Sequence, residues 1–177
     1  MKSRALMMLL VGSALVGYSA SGRSADNPAC ANPAAALPPA LSAWVGAAMA
    51  MTTAHNAAEA ANRVIPLGQR IAFKLANTDS ISFAQKPSEQ MPKQYAYSGM
   101  ASFRVPKDGS YSVMIGEANW IDVIQEGKAI HSLDMGPRVP CIRYSKKIEF
   151  PLKAGTAIVQ FFGAPYDTVD VLIAPAS

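Results

Sequence analysis

From Gln69 onward the chain repeats one pattern: short runs of alternating apolar and polar residues, cut by Gly, Pro, Asn and Asp. Side chains on a strand alternate between two faces, so runs of period two bury one face as β-sheet and do not suit a helix. QRIAFKL puts Ile71, Phe73 and Leu75 on one side, and SISFAQ repeats this with Ile81 and Phe83 after an NTD turn at Asn77 to Asp79. KPSEQMPKQ, residues 86–94, reads as a Pro-bearing loop. YAYSGMASFRV follows as a longer strand, and PKDG (Pro106 to Gly109) has turn chemistry. YSVMIGE and WIDVIQ come next, and EGK (Glu126 to Lys128) turns into AIHS. After the irregular LDMGPRVPC, the strands IRYSKKIEFPL, TAIVQFFG and DTVDVLIAP close the chain. About eight strands with no helices between them predict an all-β fold, an antiparallel β-sandwich or jelly-roll over residues 66–177.

The preceding residues obey different rules. Lys2 and Arg4 precede an apolar run from Ala5 to Val16, and small residues follow. That is the layout of a secretory signal peptide over residues 1–24, the alternative being an uncleaved anchor. Cleavage after Gly22 or Ser24 removes Lys2, Arg4 and, at the later site, Arg23, leaving 13 or 14 basic residues against 12 acidic ones. The whole chain's net charge of +4 thus falls to +1 or +2, which argues against nucleic acid as a partner. No second apolar run is long enough to span a bilayer, so no transmembrane anchor is expected after cleavage. The remaining ~150 residues suit one domain with one core.

Residues 25–65 are rich in Ala and Pro. Residues 26–42 read as an extended lead-in, and residues 43–64 as a loosely docked helix or a mobile segment without one clean apolar face. Cys30 and Cys141, far apart in the chain, read as one structural disulfide worth ~4 kcal/mol in the chain-entropy model. The alternative, a reactive thiol, has no CxxC or evident His partner.

Candidate sites are few. In WIDVIQ, Ile121 and Val123 belong on the core side, so Trp120 and Asp122 are expected to face solvent. An exposed indole beside a carboxylate suits a sugar or aromatic ligand; the competing reading is a Trp covered by the N-terminal segment. A carbohydrate-binding role requires Trp120 or Trp44 at the surface. Arg143, Ser145 and Lys147 share one face if RYSKK is a strand, and either receive an anion or guard an exposed sheet edge. A non-haem iron site of two His and one carboxylate would need both His55 and His131, with Glu117, Asp122 or Asp134 as the acid. No HExxH or HxD/E…H spacing supports it, and the His55–Glu59 pair, spaced i, i+4, reads first as a helix-surface contact. G-x-S-x-G is absent, as are a Gly-rich phosphate loop and the aromatic–basic interleaving of nucleic-acid binders.

YSGMASFRVPKDGSYSVMIGEANWIDVIQEGKAI, PCIRYSKKIEFPLKAGTAIVQFFGA and VDVLIAP together resemble a family of small exported bacterial proteins. Its marks are a YxG strand, a G-x-Y turn, an aWIDV block, a Cys before a basic strand, and F-x-L-x-A-G. The likeness covers about residues 66 to 174. Members often carry the label homogentisate 1,2-dioxygenase, which implies Fe(II), O2 and ring cleavage of homogentisate to maleylacetoacetate. The well-studied enzymes of that label are longer, cytoplasmic and cupin-like, with a His/Glu/His iron site whose ligands do not map onto this chain. The expectation is therefore a periplasmic or secreted module that binds a small molecule, glycan or envelope protein without catalysis or cofactor. The Fe(II) dioxygenase and a carbohydrate-binding accessory module are the alternatives.

Overall fold

The alternating runs become twelve strands in two facing sheets, an all-β sandwich. A computed structural model describes residues 28–89, 96–136 and 138–176; the expected signal peptide lies outside them. The strands are β1 (Met49–Thr52), β2 (Val64–Ile65), β3 (Ile71–Lys74), β4 (Ala76–Asn77), β5 (Tyr97–Val105) and β6 (Gly109–Ile115). They continue with β7 (Trp120–Gln125), β8 (Lys128–Ile130), β9 (Asp134–Met135), β10 (Lys146–Leu152), β11 (Gly155–Ala164) and β12 (Thr168–Pro175). The first sheet runs β1-β3-β12-β6-β10-β9, and the second β2-β5-β11-β7-β8 with β4 also on β5.

Inward-facing residues of both sheets make one core. Ile71, Phe73, Val113 and Phe150 of the first sheet meet Phe103, Val123, Val159 and Phe161 of the second. The Phe73 and Phe161 rings are 5.4 Å apart across the gap. The expected turns fall where the sequence puts them. PKDG joins β5 to β6, and Glu126 (φ 51°) with Gly127 (φ 72°) makes the two-residue hairpin between β7 and β8. Two positive φ values in succession match the right-handed twist of the flanking strands.

Three expectations are corrected. The sheets are mixed and not purely antiparallel, because β1 pairs β3 and β2 pairs β5 in parallel. Twelve strands replace about eight; several of the additions are only two to four residues long, too short to show a period. SISFAQ is no ladder strand either, having a single bridge from Ser82 to Asn56. Residues 81–89 instead cross the outer face of the second sheet. There Ile81 and Ala84 pack on Met100 and Ile158, and the Phe83 ring meets Phe162 edge-on at 6.2 Å. Outward-facing apolar side chains on β5 and β11 need this cover, which draws apolar residues into a segment that mimics a strand.

The N-terminal region is likewise folded. After α1 (Pro28–Ala31) come two 3-10 turns, Pro33–Ala36 and Pro39–Val45, and the second lies on the outer face of the first sheet. Leu37, Leu41 and Trp44 cover Met114, Leu172, Ala174 and Tyr144. The lead-in is thus turned, not extended, and residues 43–64, expected as a docked helix or a mobile segment, are mostly 3-10 turn, strand β1 and loop. Their helical part is α2 (Ala57–Ala60). Thr52 and Thr53 disfavour a continuous helix, and edge pairing to β3 satisfies the backbone instead. The Cys30–Cys141 disulfide forms as expected, with a Cα–Cα distance of 5.2 Å. No helix among the described residues is long and apolar enough to cross a membrane.

Candidate functional site

The side of the sandwich where β7–β8 and β10–β9 end their sheets carries a pocket of about 360 Å³. Ala118, Asn119, Trp120, Met135, Ser145 and Lys146 line it. Its construction follows from strand parity. On β10, Ile148, Phe150 and Leu152 point into the core, and Lys146 shares their parity at the strand's first residue. On β7 the inward residues are Ile121 and Val123, and Asn119 continues that series just before the strand. Lys146 from one sheet and Asn119 from the approach to the other therefore line one cavity at the mouth of the inter-sheet space. Met135, paired with Ile148, lies at the same mouth and is 68 % exposed.

The polar groups of the pocket are poorly served by the protein. Asn119 is 2 % exposed, and neither its Nδ2 nor its Oδ1 has a hydrogen-bond partner among the described residues. Burying such an amide unpaired costs ~1–3 kcal/mol. Burial lowers the Lys146 pKa from its ordinary value of 10.5. The ion pairs among the described residues are Arg70–Asp170, Lys74–Asp167 and Lys147–Glu149, and none of them involves Lys146. Half-buried Trp120 adds an indole to the wall.

Asp122 departs from expectation. It faces away from the inter-sheet core, as alternation requires, yet it is only 8 % exposed because the 81–89 segment covers it. Its carboxylate accepts hydrogen bonds from Ser88 N–H (3.1 Å), Ser88 Oγ (2.6 Å) and Gln160 Nε2 (3.1 Å). Gln160 Nε2 also donates to the Gln85 carbonyl at 3.0 Å. These bonds anchor a covering segment. Trp120 and Asp122 are thus not an exposed pair, and the N-terminal segment covers the opposite sheet, with Trp44 at 3 % exposure. Trp44 donates from Nε1 to the Arg143 carbonyl at 2.8 Å, and the Arg70 guanidinium lies 5.2 Å from its ring centroid.

The basic row also separates. Arg143 precedes β10 and is exposed, lining a second cavity of about 360 Å³ with Arg138, Glu117 and Tyr144. Lys147 lies on the strand and pairs with Glu149 at 3.1 Å. Only Ser145 of that row reaches the Asn119 pocket.

His55, His131 and Glu117 lie beside separate elements. His55 precedes α2, beside the Ala54–Met100 bridge to β5, while His131 follows β8, three strands away in the same sheet. At 4.7–4.9 Å per strand that is roughly 14 Å. Glu117 sits in the β6–β7 turn of the second cavity. Among the described residues no three His, Cys, Asp or Glu side chains gather as a metal-binding group. The His55–Glu59 spacing instead marks a helix cap. Glu59 accepts from the His55 backbone N–H at 3.0 Å and from Asn56 Nδ2 at 2.8 Å, while Asn56 caps the Glu59 N–H at 2.9 Å. The His55 N–H bond is the main reason the Glu59 pKa lies below its ordinary value.

Asn119, Met135 and Lys146 escaped the sequence reading. Parity directed attention to Lys147 and away from Lys146, whose inward position reads as core until the strand is seen to start there. Asn119 lies in a turn, where Asn is commonplace. Fold and pocket together define an all-β sandwich stapled by a disulfide, with a cavity at the mouth between its sheets. Comparison with protein-family models, curated proteins and solved structures finds no match to this chain.

Proposed function

We propose that the chain is an exported periplasmic or secreted β-sandwich that binds a small ligand, without catalysis, in the Asn119–Trp120–Lys146 pocket. The observation that carries the reading is the cavity's lining: half-buried Lys146, which joins none of the described ion pairs, stands there with Trp120, Met135 and Ser145. An apolar concavity with a few polar groups converging on it is the usual form of a small-ligand site. The lining offers an apolar wall, a hydroxyl and one cation, which is an inventory for recognition. The Cys30–Cys141 disulfide supports an oxidising compartment, in keeping with the signal-like residues 1–24.

The test is a titration of the mature, oxidised protein followed by two-dimensional NMR. The probes are N-acetyl-leucine, glucose, N-acetylglucosamine and phenylacetate. At least one should shift the signals of Asn119, Trp120 and Lys146 in a saturable way while the indole of Trp44 stays put. If all four leave residues 118–120 and 145–146 unmoved, this is not a ligand pocket for these chemistries and the proposal falls.

A further inference from the structure

We infer that the pocket takes a small amphipathic anion, a carboxylate carried on a single ring or a short branched chain, an inference that rests on the ligand-binding reading above. The polar end follows from charge. Lys146 is the charged residue of the lining, and it joins none of the described ion pairs. It shares the parity of Ile148, Phe150 and Leu152, so its stem starts toward the inter-sheet space and not onto the outer face. The carboxylates around it are committed elsewhere. Asp122 lies on the other face of β7, bonded to Ser88 and Gln160, and Glu149 pairs with Lys147. Glu117 lines the cavity of Arg138 and Arg143, and on β9 it is Met135, not its neighbour Asp134, that lines this pocket. Half-burying an ammonium without a counter-ion is costly, which lowers the Lys146 pKa from 10.5, and a ligand carboxylate relieves that cost.

The rest of the lining sets the body of the ligand. Ala118, Trp120 and Met135 give an apolar wall. Indole and thioether both pack well on flat or branched hydrocarbon. At about 360 Å³ the cavity is at the small end for ligand sites, which suits one ring or a short chain and not a long acyl chain. Other ligand classes use only part of this surface. A sugar would meet the indole and leave the ammonium uncompensated. An inorganic anion would meet the ammonium and leave the apolar wall wet, and an amine would add a second positive charge.

The experiment compares matched ligands on the unaltered, disulfide-bonded protein, with calorimetry for affinity and two-dimensional NMR for location. Phenylacetate and 4-methylpentanoate are titrated beside their primary amides, acetate, phenethylamine, glucose and N-acetylglucosamine. At least one of the two acids should shift residues 118–120 and 145–146 saturably. Its amide keeps the shape and loses the charge; acetate keeps the charge and loses the body. Each should bind at least about tenfold more weakly than the acid, and phenethylamine should not bind there. In Lys146→Met the acid should fall to the affinity of its amide while amide binding persists, and Lys146→Arg should keep the preference. The unaltered protein decides the matter if Lys146→Met does not fold. Equal affinity of acid and amide, or of acid and acetate, overturns the inference, as does an acid preference intact in Lys146→Met. Saturable binding at these residues by the sugars or the amides, with none by the acids, overturns it too and leaves the ligand-binding reading standing. Silence from every probe, those of the ligand-binding test included, sinks both.

Discussion

Replacing Asp122 by Ala tests whether this carboxylate holds structure together or awaits a ligand. Three hydrogen bonds disappear, two from Ser88 and one from Gln160. Ser88 is exposed, so water replaces most of what its donors lose. Gln160 is 0 % exposed and keeps two bonds to the Gln85 backbone, Nε2 to its carbonyl and Oε1 from its N–H, but no water reaches the donor that Asp122 leaves, so that loss counts nearly in full. With ~1.5–3 kcal/mol for a bond to a buried charge and a smaller share from Ser88, the expected destabilisation is about 2–4 kcal/mol. Urea unfolding of the oxidised protein reads this as a lower midpoint at unchanged slope. Backbone exchange at Gln85 and Ser88 should accelerate more than in the core strands, since their segment loses its anchor. Asp122→Asn should recover part of the loss, because one oxygen remains to accept while the new NH2 opposes the Gln160 donor. Coupling with Ser88→Ala in a double-mutant cycle should be about 1 kcal/mol. A loss under ~0.5 kcal/mol, as for an exposed side chain, with unaltered exchange at 85 and 88, would refute the buried network.

Removing the disulfide as Cys30→Ser with Cys141→Ser opens a link across 111 residues, and a loss of about 3–5 kcal/mol is expected by urea unfolding; under ~1 kcal/mol would mean that Leu37, Leu41 and Trp44 hold the segment unaided. Gly99→Ala would place a methyl carbon 2.5 Å from Thr53 Cβ, so a loss above ~2 kcal/mol is expected, relieved in part by Thr53→Ala in the same background. Lys146 has a folded-state pKa below 10.5, so between that value and 10.5 the unfolded chain binds more protons and stability should rise with pH. Lys146→Met should flatten that rise, which urea midpoints measured at increasing pH up to 10.5 will read.

Much of the sandwich is written in residue order. Period-two runs such as Ile71–Phe73–Leu75 and Ile121–Val123 select strands because only a strand puts alternate residues on one face, and Glu126–Gly127 selects its hairpin through local backbone sterics. Two cysteines and no others point to the staple by count alone. These signals act over a few residues, or need just a count. What covers the outer faces lies beyond them. Leu37 and Leu41 sit in an Ala- and Pro-rich stretch that reads as extended, with Trp44 just beyond it, and nothing local says which sheet they meet. SISFAQ alternates like a strand, and only the apolar outer surface of β5 and β11 makes it a cover that buries Asp122. The pocket is the extreme case. Asn119 and Lys146 are 27 positions apart yet line one cavity, and their chemistry comes from burial and from the lack of a partner among the described residues. Local periodicity determines elements because backbone geometry is local; desolvation of a polar group depends on whatever the remainder of the chain brings to it, and the tertiary structure alone decides that.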